Sequence, residues 1–221
     1  MLQSYGMVYV KPVRGSLGKG VMRAEKEASG SYAYQLGANR RSYAGFDAFY
    51  NAIKKDTGGR SYLVQRGIHL LKYEGRAFDL RIVVQKSPSG GYEATGTVAR
   101  VAFPGKIVTN GSQGGTILPA TQVLQPHAGF GQKEALIANV ERIGVQTIKR
   151  LRTRYPGLVE IGLDIALDRQ LRPWILEVNT TPDHCPFAIL QDQTMLRRII
   201  HYGKQYGVTY KLKCNKARRV L

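Results

Sequence analysis

The chain has 221 residues, 43% of them hydrophobic, with a mean hydropathy of -0.26, so it can bury a sizeable core. Its 33 lysines and arginines against 15 acids give a formal charge of +18, a balance that attracts polyanions. No apolar run approaches the ~18 residues of a membrane span, and residues 1–6 lack the basic-then-apolar pattern of a leader. Two cysteines, Cys185 and Cys214, give neither a zinc spacing nor a disulfide framework, and read as thiols of a reducing compartment.

From the N-terminus, a short β run delivers Lys11 into the glycine-rich loop Gly15-Ser16-Leu17-Gly18-Lys19-Gly20, and a second run follows through residue 24. Three glycines in six residues let backbone N–H groups approach an anion. Lys11 would be a point charge for a phosphate, with Lys19 a second cation. Val21 after Gly20 rules out a P-loop ending, and no helical pattern follows to make a dinucleotide fingerprint. The loop reads as a flap between two strands; a plain hairpin turn is the alternative.

Residues 32–45 carry tyrosines and Arg40-Arg41 without an assignable pattern. Residues 46–55 have helical spacing and stop at Asp56-Thr-Gly-Gly59. Residues 61–68 read as a strand that kinks at Gln65-Arg66-Gly67-Ile68. In the next strand, residues 76–85, Asp79, Arg81 and Val83 share one face and Leu80, Ile82 and Val84 the other. Charged groups in so apolar a strand need partners; an Asp–Arg pair on an edge strand would supply them without any function. The alternating strand at residues 93–102 adds Arg100, and Asn110 precedes Gly114-Gly115. Arginine's rigid fork suits phosphate and carboxylate oxygens, which makes Arg81 and Arg100 candidates for gripping either.

Residues 133–154 form an amphipathic pattern that stops at Pro156-Gly157. Two apolar runs then flank the polar turn Asp168-Arg169-Gln170. A hairpin centred between Gln170 and Leu171 sets Asp164 opposite Glu177 and Gly162 opposite Asn179. Facing carboxylates repel unless a cation lies between them, so Asp164, Glu177 and Asn179 form a hard-cation site, Mg2+ with nucleotide phosphates fitting best. A solvated hairpin with wet acids is the bland alternative. Residues 190–206 read as a closing helix. Bases at 149–154, at 197–198 and from 204 to 219, interleaved with Tyr202, Tyr206 and Tyr210, suit an acidic polymer or nucleic acid, or simply a wet face.

The ordered strings Lys-Pro-x-x-Gly-Ser-x-Gly-Lys-Gly, Val-Gln-x-x-Ile, Phe-Asp-Leu-Arg, Ala-Arg, Asn before Gly-Gly, Gly-x-Asp and Glu-Val-Asn-x-x-Pro resemble the ATP-grasp superfamily, and most closely its YheC/YheD type associated with endospore coats. The resemblance runs from about residue 8 to 182. It implies an α+β ATP-grasp fold whose two lobes, with antiparallel sheets, clasp ATP. Residues 1–221 would form one unit: about 1–70 the nucleotide lobe, about 71–200 the metal and phosphate lobe, 201–221 a basic tail. It further implies that Lys11 and the flap, Gly15, Ser16, Gly18, Lys19 and Gly20, hold phosphates. Gln65, Arg66, Gly67 and Ile68 would meet adenine; Asp164, Glu177 and Asn179 would hold Mg2+; Arg81 and Arg100 would face an acyl-phosphate in carboxylate–amine or carboxylate–thiol ligation. The family's usual glycine after Asn-x-x-Pro is Asp183 here. Ten residues before Lys11 leave no room for the usual front domain, so the expectations are a partner subunit that supplies it, a remnant, or nucleotide binding without catalysis. The expected setting is cytoplasmic with deposition in the spore coat among coat proteins or an acidic polymer, and no membrane partner. A coat protein without turnover and a basic nucleic-acid-binding module are the other readings.

Overall fold

The computed structural model describes residues 1–15, 17–109, 114–210, 212 and 214, and folds them into two antiparallel sheets with helices packed on them. After α1 (Leu2–Tyr5), the first sheet takes β1 (Met7–Pro12), β2 (Met22–Lys26), β3 (Tyr32–Leu36), β4 (Asn39–Tyr43) and β5 (Tyr62–Arg66) in the order β4-β3-β2-β1-β5. α2 (Phe46–Thr57) covers it. Phe49 and Ile53, one turn apart, bury against Val8, Val10 and Tyr34, each such side chain contributing about 1.5–3 kcal/mol. Gly58, at φ 57°, ends the helix in the left-handed region.

The unassigned residues 32–45 are the β3–β4 hairpin. β3 is buried at four consecutive positions, Tyr32 to Gln35, so it shows no alternation. β4 is an edge strand whose Arg40 pairs with Glu25 at 2.6 Å and Glu27 at 2.8 Å; charge there blunts the exposed ladder.

The second sheet comprises β6 (Lys72–Tyr73), β7 (Arg76–Lys86), β8 (Tyr92–Val101), β9 (Thr116–Pro119), β10 (Glu160–Leu167) and β11 (Pro173–Asn179), in the order β11-β10-β7-β8-β9 with β6 paired to β7. β7 therefore lies in the middle of the sheet, not at an edge. One face, carrying Phe78, Leu80, Ile82 and Leu163, packs against α3 (Ala120–Leu124) and α4 (Gln132–Arg152) through Val123, Val140 and Ile148. Gly144 permits that approach, since a Cβ there would lie 2.8 Å from Val84. The opposite face is divided. Val83 and Val98 lie under α5 (Cys185–Ile189) and α6 (Thr194–Lys204) through Phe187 and Ile199, while Asp79, Arg81, Arg100 and Asp164 line a cleft. The closing helix expected at 190–206 is α6, which begins at Thr194, where the Asp192 carboxylate accepts from the Thr194 N–H; the short α5 precedes that span. Among the described residues no helix is long and apolar enough to cross a membrane.

Candidate functional site

The β10–β11 hairpin has the register that its sequence symmetry predicts, with Asp164 opposite Glu177 and Gly162 opposite Asn179. Beyond Asp164 the pairing shifts, Ile165 facing Ile175, so Leu176 bulges and lines the cleft. The turn is held by Asp168, which accepts from the backbone N–H groups of Gln170 and Arg172, from Arg172 Nε at 2.8 Å and from Trp174 Nε1 at 2.9 Å. Burial alone would raise the Asp168 pKa, but these donors lower it to about 2.

Two charged pairs cross the middle of the sheet as direct ladder partners. Asp79 on β7 stands opposite Arg100 on β8, and Arg81 on β7 opposite Asp164 on β10. Arg100 grips Asp79 with Nε at 2.8 Å and Nη2 at 2.6 Å, and its Nη2 also lies 2.8 Å from Asp164. Thr109 donates to Asp79 at 2.6 Å. Arg81 gives Asp164 its Nε at 2.6 Å, and its Nη groups have no protein partner among the described residues. Desolvation pushes the Arg100 pKa down, but Asp79 and Asp164 overrule it and hold the guanidinium charged. Desolvation likewise opposes ionisation of Asp164; Arg100 and Arg81 overrule it and keep the pKa below the ordinary carboxylate value. The Asp–Arg pair suspected along β7 is therefore two cross-strand pairs bridged by Asp164.

A cleft of about 940 Å³ opens over this row and is walled on its other side by the first sheet. Lys11 lines it from β1, and Gly15, Gly18 and Lys19 from the β1–β2 loop, where Leu17, Gly18 and Gly20 all have left-handed φ of 62°, 68° and 76°. Ser16 and Asn110 lie outside the described residues. Gly20 sits against Tyr62 and Pro12 rather than in the wall. Gln65, Arg66 and Ile68 line the end where the sheets meet; Gln65 donates to the Leu176 carbonyl at 3.4 Å, and the Arg66 guanidinium is sandwiched between Tyr5 and Trp174 at 4.8 and 4.9 Å. The Gly67 N–H is engaged by Met7 O at 3.0 Å. Burial lowers the Lys11 pKa, with Glu177, Asp164 and Asp79 pulling the other way.

Arg81, Arg100, Asp164, Glu177 and Asn179 all face this cleft. Glu177 is exposed and has no ion pair among the described residues. Among those residues no three His, Cys, Asp or Glu side chains cluster as a metal cage. The donor set nevertheless fits Mg2+, which is held through one or two carboxylates with phosphates and waters completing the shell. Glu177 and Asn179 offer hard oxygens, and Asp164, a carboxylate with about four acceptor sites, is already shared between two arginines.

Behind the cleft, the segment after α6 returns to the sheet. Tyr210 packs over Gly203, where a Cβ would meet its hydroxyl, and donates to Glu160 Oε2 at 2.7 Å; Gln85 donates to Tyr210 Oη at 2.8 Å. His184 Nε2 lies 3.6 Å from the same carboxylate. Tyr210→Phe is expected to lower stability by about 1.5–3 kcal/mol in urea melts, the range for a bond to a charged group. A change within error would mean that Gln85 and His184 suffice for Glu160. Cys185 and Cys214, expected as thiols, form a disulfide at the cleft wall. Their 29-residue separation hides the pairing, which depends on the chain's return after α6. Thr109, the Leu176 bulge and this disulfide carried no usable sequence signal; Asp79 stood beside Arg81 but belongs to Arg100.

The family model described as YheC/D like ATP-grasp matches residues 1–209. The chain is similar to the endospore coat-associated protein YheD of Bacillus subtilis (strain 168), 23% identical over 191 residues, 84% of this chain and 41% of that protein. With YheC of the same organism it shares 26% identity over 176 residues, 78% of this chain and 48% of that one. It thus spans under half the length of either relative. Among solved structures, the biotin carboxylase–β,γ-ATP complex of Campylobacter jejuni superposes with a TM-score of 0.53 at 11% identity, covering 98% of this chain and 41% of that one, a likeness of fold.

Proposed function

The chain belongs to the YheC/D-like ATP-grasp family, and from that membership we propose that it binds Mg2+–ATP and uses it to convert a carboxylate into an acyl-phosphate for attack by an amine or thiol. The observation that carries the reading is the convergence of Lys11, Arg81, Asp164, Glu177 and Asn179 on one cleft between two antiparallel sheets. Lys11 and the flap would take the phosphates, and Val64, Ile68 and Leu176 the adenine face. Glu177, Asn179 and a share of Asp164 would hold Mg2+, which neutralises phosphate charge when bound. Arg81, whose Nη groups have no partner among the described residues, would meet the oxygens of the transferred phosphoryl group, and Arg100 would orient Asp164 and hence Arg81. Positioning and fixed positive charge are the main contributions such a transfer needs from protein.

Calorimetric titration with a non-hydrolysable ATP analogue, with and without Mg2+, tests this. Glu177→Gln is expected to weaken Mg2+-dependent binding at least about tenfold with the melt unchanged; equal affinity would remove Glu177 from the metal site. A second reading, nucleotide binding without turnover, is favoured by the bidentate commitment of Arg100 to Asp79. Release of ADP in the presence of some carboxylate separates the two. On either reading the proposed setting is the cytoplasm with deposition in the spore coat, a setting that rests on the coat association in the names of YheD and YheC.

A further inference from the structure

Among the described residues a strong charge imbalance lies away from the cleft, at the hairpin joining β7 to β8. Lys86 is five residues along β7 from Arg81, about 16 Å at the usual rise, roughly two screening lengths in physiological salt. α4 ends against one side of this hairpin and the chain leaving α6 against the other. Arg152 stacks over Tyr92 at 5.4 Å, Tyr92 pairs with Lys86 in the ladder, and Lys86 Nζ lies 4.7 Å from the centre of the Tyr206 ring. The result is an unbroken row of alternating cation and aromatic side chains. On α6, Arg198 lies over Tyr202 at 5.4 Å, and both bind Glu93, the neighbour of Tyr92.

Flanking that row, Lys149, Arg150 and Arg154 are exposed at the end of α4, and Arg197, Arg198 and Lys204 on α6. Residues 86–93, 149–157 and 194–207 together contain eight lysines and arginines and a single carboxylate, Glu93. Helix C-termini do attract cations, but each carries only about half a negative charge, so one or two bases would satisfy both ends. Beyond Glu93, Asp192 beside Arg197 offsets one of these charges, and the rest of the excess is positive. Tyr155, 56% exposed beside Arg154 at 5.8 Å, adds an accessible ring.

We propose that this surface binds single-stranded nucleic acid, with phosphates on the α4 and α6 bases and bases stacked on the tyrosines. Charge alone would serve any polyanion, whereas the interleaved rings match the alternation of phosphate and base. The Arg forks suit phosphate oxygens. The site is independent of nucleotide binding in the cleft.

The test is fluorescence anisotropy with a labelled oligothymidylate of about twelve nucleotides over a salt series. Affinity is expected to fall with salt, with a log–log slope of about -0.7 per phosphate contact. The triple variant Lys149→Glu/Arg150→Glu/Arg154→Glu is expected to lose more than about tenfold in affinity and to flatten that slope; these side chains are exposed, and a thermal melt checks the fold. Arg197→Glu/Lys204→Glu, on the other helix, is expected to act in the same direction. Tyr155→Ala is expected to weaken binding several-fold at unchanged slope, the mark of stacking rather than charge. Lys11→Ala and saturating ATP analogue are expected to leave oligonucleotide binding intact. The proposal is overturned if both charge variants bind like wild type, if Lys11→Ala or the ATP analogue abolishes binding, or if polyglutamate of matched charge competes equally, which would make the surface a dock for acidic protein.

Discussion

Arg100→Met is expected to destabilise the fold by about 3–5 kcal/mol, the range for removing one partner of a buried ion pair. Asp79 on β7 and Asp164 on the neighbouring β10, 2% and 4% exposed, would both lose their shared guanidinium, and Arg81 would remain as the arginine paired with Asp164. The pH dependence carries the diagnosis. In the wild type the Asp164 pKa is depressed, against burial, by Arg100 and Arg81, so its contribution is present above the unfolded value of about 3.9 and is lost as pH falls through the lower folded value. Without Arg100, burial outweighs the remaining Arg81 and the Asp164 carboxylate favours its protonated form. The deficit of the variant is therefore largest near neutral pH and shrinks on acidification. Urea melts from pH 4 to 7.5 measure it. A variant as stable as wild type at every pH would make Arg100 a ligand-facing group with no part in the scaffold.

The two pairs behind this prediction mark the boundary of what the sequence shows. Alternation along residues 76–85 puts Asp79 and Arg81 on one face, and that much is legible, because period 2 is a property of a single strand. Which carboxylate meets which arginine depends on the registers of β7 against β8 and β10, and their partners lie 21 and 83 residues away. The Asp164–Glu177 and Gly162–Asn179 pairings were anticipated from a turn centred between residues 170 and 171, but the pairs next to the turn centre on Gln170, and the unread bulge at Leu176 restores the offset. β3 escaped for the opposite reason, being buried at four consecutive positions beside a polar edge strand. The Cys185–Cys214 bond needed the path of the chain after α6, which no local pattern encodes. The ATP-grasp fold itself was legible from the order of short strings, some at turns where backbone geometry restricts the residue, others, such as residues 78–81 and 162–164, where charged residues or glycine interrupt apolar strands.

Lys11→Met is expected to weaken binding of the ATP analogue by about 1.5–3 kcal/mol, roughly tenfold to a hundredfold in Kd, even at saturating Mg2+. The lysine sits on β1 beside the left-handed turn of the loop, where burial lowers its pKa while Glu177, Asp164 and Asp79 pull upward. A phosphate arriving there replaces water lost to burial and stabilises the ammonium, so binding draws a proton toward Lys11. Affinity of the wild type should then fall as pH rises toward the lowered lysine pKa, and Lys11→Met should be flat over that range. Lys11→Arg separates charge from shape: a fork in place of a point charge restores the electrostatic part and leaves a smaller deficit from misfit. Were all three proteins to bind the analogue equally, the β1–β2 loop would be a turn between strands, and the phosphates would have to rest on Arg81 and the metal site alone.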